Sequence, residues 1–137
     1  VAAHVLCKLP RDAEGYMGRL RCVQEISAVT AACMMVKTSV FKAVGGFDEE
    51  LKVAFNDIDL CMKVRKYGVK IVFTPYAELY HYESKSRGLE DTPEKVARFN
   101  KEIATFEKKW PEILKNGDPY YNPNLTLKSQ DFSLKRI

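Results

Sequence analysis

Residues 93–110 carry the strongest period in the chain. Val96, Phe99, Ile103, Phe106 and Trp110 recur at steps of three and four, which lines one face of an α-helix. Thr92 is placed to cap this helix, Pro93 suits its first turn, and Pro111 is expected to end it. A helix with one apolar stripe must bury that stripe against something. The rest of the chain therefore has to fold as a layer around it.

That layer is legible in outline. Asn56 is a good N-cap for a helix over residues 57–67, and Gly68 is a good residue to stop it. Ile58, Cys61 and Met62 share one face of it, broadened by Leu60, Val64 and Tyr67. Thr38 or Ser39 caps a shorter helix over 40–44, stopped by Gly45 and Gly46. The apolar run 27–36 reads as a buried strand, although its alanines leave a helix open. Residues 69–73 read as a strand ended by Thr74 and Pro75, and residues 77–80 as a further extended stretch. Residues 1–9 read as a strand or the tail of one, and 10–21, 47–51 and 81–88 as loops. From Asn116 the chain is rich in Asn, Pro and Tyr and is expected to wrap another surface. The element order predicts a mixed α/β unit over residues 1–115 with an irregular extension over 116–137.

Composition narrows the function classes. A chain of 137 residues is long enough for a core. The formal net charge is +4, but Lys and Arg are spread among acids with no basic arm, so nucleic acid is not the expected partner. No apolar run is long enough to span a bilayer, and no signal peptide is expected. The chain opens in mid-strand style without an initiator Met and is expected to be an excised fragment. Cys7, Cys22, Cys33 and Cys61 form no CxxC pair and have no His at zinc-ligand spacing. Cys33 and Cys61 lie in apolar runs and are expected to be buried, which fits a reducing compartment.

Three segments could carry chemistry. In the first, Asn56, Asp57 and Asp59 open a helix beside a Gly-Gly loop. A general base must reach the proton it takes, and a carboxylate at an exposed helix start is placed to do so. Asp57 and Asp59 are two apart and point to nearly opposite sides, so they suit neither a metal clamp nor a carboxylate pair. Asn56 with Asp59 also resembles a capping box, and the helix dipole favours an acid at Asp57 whether or not it is catalytic. The second segment, residues 81–88, gathers His81, Ser84, Ser86 and Arg87, which suit a diphosphate and its divalent ion or simply a solvated loop. The third is Gly45, Gly46, Phe47 and Asp48, where paired glycines mark a close backbone approach or a helix stop. No GxGxxG, P-loop or GxSxG motif occurs. With only two histidines, His4 and His81, a Ser-His-Asp or Cys-His arrangement is thinly supported.

In order and spacing these segments resemble the inverting family 2 glycosyltransferases of the GT-A fold, close to those that build bacterial surface polysaccharides, including rhamnose-type transferases. The resemblance rests on residues 28–33, Val40 and Phe41, residues 44–49, residues 55–61, Tyr67 and Gly68, residues 75–81, Glu83 and Ser84, and residues 86–88. Residues 118–125 look like the tail of the same subgroup.

The resemblance implies roles. Asp57 falls at the position of the family's catalytic base, which takes the proton of an acceptor hydroxyl in a single displacement. Asn56 stands where the family commonly has Glu. Gly46, Phe47, Asp48 and Asn56 would shape the acceptor site. His81 falls at a ligand position for Mg2+ or Mn2+, and Ser84, Ser86 and Arg87 would lie near the donor diphosphate. The implied partners are a nucleotide-sugar donor, a saccharide or lipid-linked saccharide acceptor, and the N-terminal half of the same polypeptide. That half carries the nucleotide-binding strands and the metal-binding Asp-x-Asp motif, and nothing here is expected to supply it, because Asp57, Ile58 and Asp59 sit on a helix and match the family's later acidic motif instead. The implied fold is thus a partial GT-A fold, inactive alone, with a sheet edge open to self-association. The implied location is cytoplasmic, at the inner face of the membrane. The alternative is a non-catalytic glycan- or protein-binding module derived from the same fold.

Overall fold

A computed structural model describes residues 4–6, 9–82 and 92–136. Strand β1 (Gln24–Glu25) pairs antiparallel with β2 (Val72–Phe73), Gln24 opposite Phe73 and Glu25 opposite Val72. The amide of Ile26 extends this pairing by donating to Ile71 O at 3.1 Å. Four α-helices occur among the described residues: α1 (Thr38–Ala43), α2 (Asn56–Lys66), α3 (Pro93–Lys109) and α4 (Pro111–Asn116). Mixed helix and sheet is the expected α/β content, with a two-stranded antiparallel sheet among the described residues.

The core lies between α2 and the C-terminal half of α3. Leu51, Cys61, Met62, Phe106 and Trp110 are buried together, with Val29, Phe55, Ile58 and Ile71 packed against them. Each fully buried apolar side chain of this size contributes about 1.5–3 kcal/mol. The stripe of α3 is only partly used: Phe106 and Trp110 are buried, but Val96 and Phe99 remain 44% and 38% exposed. Helix α3 begins as expected, with Thr92 Oγ1 accepting from Lys95 N at 3.4 Å.

Several expectations are corrected. The run 27–36 is not a strand. Thr30 Oγ1 accepts from Ala32 N and caps a 3-10 turn, Ala31–Cys33, so these amides are withdrawn from any ladder. Strand β2 covers only the end of 69–73, and residues 77–80 form no strand. Residues 4–6 are not in a strand, and the remainder of that expectation falls on 1–3 and 7–8, outside the described residues, apart from Leu9, which is also not in one. Helix α3 does stop before Pro111, at Lys109, and Pro111 then starts the separate helix α4, because Pro fits a first helical turn. Cys61 is buried, and its burial pushes the thiol up, whereas Cys33 is exposed on the 3-10 turn.

The tail does wrap a neighbouring surface. Tyr120 Oη donates to Glu25 at 3.0 Å, and Ser27 Oγ donates to Asp118 at 2.6 Å. Phe132 is buried, stacked on Tyr16 with ring centroids 5.0 Å apart. A single bridge pairs Leu125 with Leu134. No helix among the described residues is long and apolar enough to cross a membrane.

Candidate active site

The start of α2 separates its two acids. Phe55, the residue before the helix, sits in the left-handed region at φ 63°, ψ 3°. It occupies the cap position expected of Asn56, which moves into the first turn, where its Oδ1 accepts from Asp57 N at 2.7 Å. Asp57 is half-buried. Its Oδ1 accepts from Ile58 N at 2.9 Å, and its Oδ2 accepts from Ala31 N at 3.1 Å, 26 residues away. The N-terminus of a helix favours an anion at this place. With one donor on each oxygen, lone pairs remain on both for a further proton donor.

Asp59, two residues on, points into the protein and is fully buried. Its Oδ1 accepts from Trp110 Nε1 at 2.9 Å and pairs with Lys109 Nζ at 2.7 Å. Lys63 Nζ stands 3.2 Å from Oδ2 as an ion pair without hydrogen-bond geometry. Asp59 is therefore a structural anchor rather than a member of a capping box.

The Gly-Gly loop is tied to the same anchor. Gly46 is buried at φ 64°, and a Cβ there would come within 3.0 Å of the Phe41 ring. Gly46 O accepts from Lys63 Nζ, and Asp48 Oδ2 pairs with Lys109 Nζ at 2.5 Å. The Lys109 ammonium and the Glu50 N–H hold the Asp48 carboxyl below its ordinary value. Burial opposes the charge on Lys109, but hydrogen bonds to Asp48 and Asp59 outweigh it and raise the ammonium. Phe47 is exposed, edge-on to Phe41 at 5.6 Å. Gly46 and Asp48 are thus joined to Asp59 through Lys63 and Lys109.

His81 is exposed in the segment after β2, while Ser84, Ser86 and Arg87 lie outside the described residues. No group of three His, Cys, Asp or Glu side chains able to hold a metal occurs among the described residues. Mg2+ and Mn2+ take mostly oxygen ligands. His81 alone is one imidazole donor, so the described residues by themselves do not fit such an ion. A concavity of about 450 Å3 is lined by Leu6, Leu9, Tyr16 and residues 129–131 and does not include Asp57.

Sequence reasoning missed Lys63, Glu102, Lys109 and Trp110 as site-building polar groups. Glu102 left a signal: it interrupts the apolar stripe three residues after Phe99 and four before Phe106. A carboxylate on a buried face has to have partners there. Glu102 finds them in Val53 N at 3.2 Å and Ala54 N at 2.8 Å.

Three curated relatives are similar to this chain. The first, "Uncharacterized protein y4gI" of Sinorhizobium fredii, is 53% identical over 135 residues, 98% of the chain. The second, "O-antigen biosynthesis protein RfbC" of Myxococcus xanthus, is 38% identical over 109 residues, 80% of the chain. An N-acetylglucosaminyl-diphospho-decaprenol L-rhamnosyltransferase of Mycobacterium tuberculosis is 37% identical over 60 residues, 44% of the chain. The chain spans 15%, 8% and 20% of the lengths of these three proteins. No family model and no solved structure matches it.

Proposed function

We propose that this chain forms the acceptor side of a glycosyltransferase, with Asp57 as the general base. Residues 1–115 would be the C-terminal half of a GT-A domain and residues 116–137 its extension. Similarity to proteins named for O-antigen biosynthesis and rhamnosyl transfer supports glycosyl transfer in general. The observation that carries the assignment to Asp57 is the division of labour on α2. Asp59 is fully buried and bound to Trp110, whereas Asp57 is half-buried at the helix start.

In this reading an acceptor hydroxyl approaches Asp57. Its oxygen bonds to the anomeric carbon as the bond from that carbon to the donor diphosphate breaks. The hydroxyl proton passes to an Asp57 oxygen, and attack opposite the leaving group inverts the anomeric centre. Asn56 and the loop carrying Gly46, Phe47 and Asp48 would shape the acceptor side. Ser84, Ser86 and Arg87 would bind the diphosphate of a nucleotide sugar, with His81 as this chain's ligand to Mg2+ or Mn2+ and the oxygen ligands coming from beyond the described residues. Such an ion supplies charge neutralisation at the leaving group. The acceptor class is a saccharide or lipid-linked saccharide, met at the cytoplasmic face of the membrane.

The test is sugar transfer by the full polypeptide carrying this chain, wild type against Asp57→Asn, with a panel of nucleotide sugars and Mn2+. A loss of about 10^2–10^4-fold with donor binding kept is expected of a general base. Transfer near wild type would remove Asp57 from the mechanism and favour a glycan- or protein-binding module.

A further inference from the structure

Helix α3 grips three consecutive residues just before α2. Glu102, 2% exposed, spreads its two carboxylate oxygens over neighbouring amides, Oε1 accepting from Val53 N and Oε2 from Ala54 N. The next residue, Phe55, packs its ring against Phe99 at 5.7 Å and Phe106 at 5.4 Å. Phe99, Glu102 and Phe106 lie at steps of three and four on one helical face.

What they hold is strained. A non-glycine residue in the left-handed region brings its Cβ too close to the following carbonyl oxygen, and such a conformation persists only where its surroundings over-determine it. Phe55 O accepts from Asp59 N at 2.8 Å, so the strained residue also makes the first turn of α2. The direction of that turn sets where Asp57 points. Fixing a loop with a buried carboxylate is costly unless its oxygens are satisfied. Here each oxygen meets one amide, and Arg98 Nε lies 4.0 Å from Oε1.

We propose that Glu102 is a positioning residue for Asp57, acting through the turn of Val53, Ala54 and Phe55. The role in transfer rests on the reading of Asp57 as base; the coupling of Glu102 to Asp57 does not. In Glu102→Gln one oxygen becomes an NH2 that cannot accept, and it is set against a backbone N–H. The Asp57 carboxylate should then lose its contact with Ala31.

The full chain carrying Glu102→Gln is compared with wild type by amide hydrogen exchange and by the NMR chemical shift of the Asp57 carboxyl carbon at one pH. The expected result is faster exchange at Ala31, by about tenfold or more, with a moved Asp57 carboxyl-carbon chemical shift. Faster exchange at Val53 and Ala54 alone, with Ala31 and Asp57 unchanged, would overturn the proposal. If Glu102→Gln does not fold, Glu102→Asp takes its place: it keeps the charge but shortens the reach, and the same two outcomes decide. In transfer assays of the full polypeptide, kcat should fall about tenfold or more with the nucleotide-sugar KM unchanged. An unchanged kcat beside a moved Asp57 would overturn the role in transfer. If Asp57→Asn leaves transfer intact while Glu102→Gln still shifts Ala31 and Asp57, the functional reading fails and the positioning stands.

Discussion

The indole N–H of Trp110 donates to Asp59 Oδ1 at 2.9 Å, joining two residues 51 apart in the chain. Lys109, its sequence neighbour, reaches the same oxygen and also Asp48. The C-terminus of α3 thereby fastens both α2 and the Gly-Gly loop. One acid of the pair Asp57 and Asp59 is committed to architecture, which leaves the other to face the loop at Ala31.

Lys109→Met is expected to destabilise the chain by about 3 kcal/mol. Removing one partner of a buried ion pair costs about 3–5 kcal/mol, because the remaining charge is stranded. The low end applies here because Lys109 is about one-third exposed and Lys63 remains beside Asp59. Asp59→Asn, which keeps an acceptor for Trp110 and strands no anion, should cost less, about 1–2 kcal/mol. Urea unfolding measures both, and a Lys109→Met midpoint equal to wild type would show that the pair contributes nothing.

Acid should remove part of this stabilisation. The folded-state value of Asp48 is depressed below 3.8, chiefly by its hydrogen bond to Lys109. A depressed carboxyl contributes stability that is complete above its unfolded value and is lost as pH falls through the folded one. The contribution of Asp48 should therefore hold at pH 5–7 and fade below about pH 4. Melting curves between pH 2 and 7 should show the gap between wild type and Lys109→Met narrowing at the acid end. A constant gap would assign the effect of Lys109 to packing of its stem.

At Phe55 the usual order of Ala and Gly should reverse. Phe55→Ala loses the packing on Phe99 and Phe106, worth about 2–3 kcal/mol for a half-buried ring, and keeps the left-handed strain. Phe55→Gly loses the same packing but sits in that region without penalty. Gly should therefore be about 1 kcal/mol less damaging than Ala by urea unfolding. A more stable Ala variant would mean that Phe55 leaves the left-handed region once its ring is removed.

Much of this frame was legible in the sequence. Helix α3 declared itself through the spacing of Phe99, Phe106 and Trp110, and α2 through its apolar face and the Gly68 stop. The Gly45 and Gly46 stop also appears, after Ala43. What was not legible depended on partners distant in the chain. Nothing local distinguishes Asp57 from Asp59 until Trp110 and Lys109 arrive 50 or more residues later. The run 27–36 looked like a strand because its residues suit one, yet Thr30 and Asp57 take the amides of Ala32 and Ala31. The cap of α2 was misread by one residue because left-handed Phe55 is imposed by α3 and has no local signature.

That dependence has a consequence during synthesis. When Asp57 is added to the growing chain, the residues that hold Phe55, Val53 and Ala54 have not yet been made. At about 5–20 residues per second, the 51 residues from Leu60 to Trp110 take roughly 3–10 s to appear. For that interval the start of α2 lacks the contacts with Phe99, Glu102 and Phe106 that hold its bend. The candidate site is thus assembled from its far end backwards, complete only after the segment that closes it has emerged.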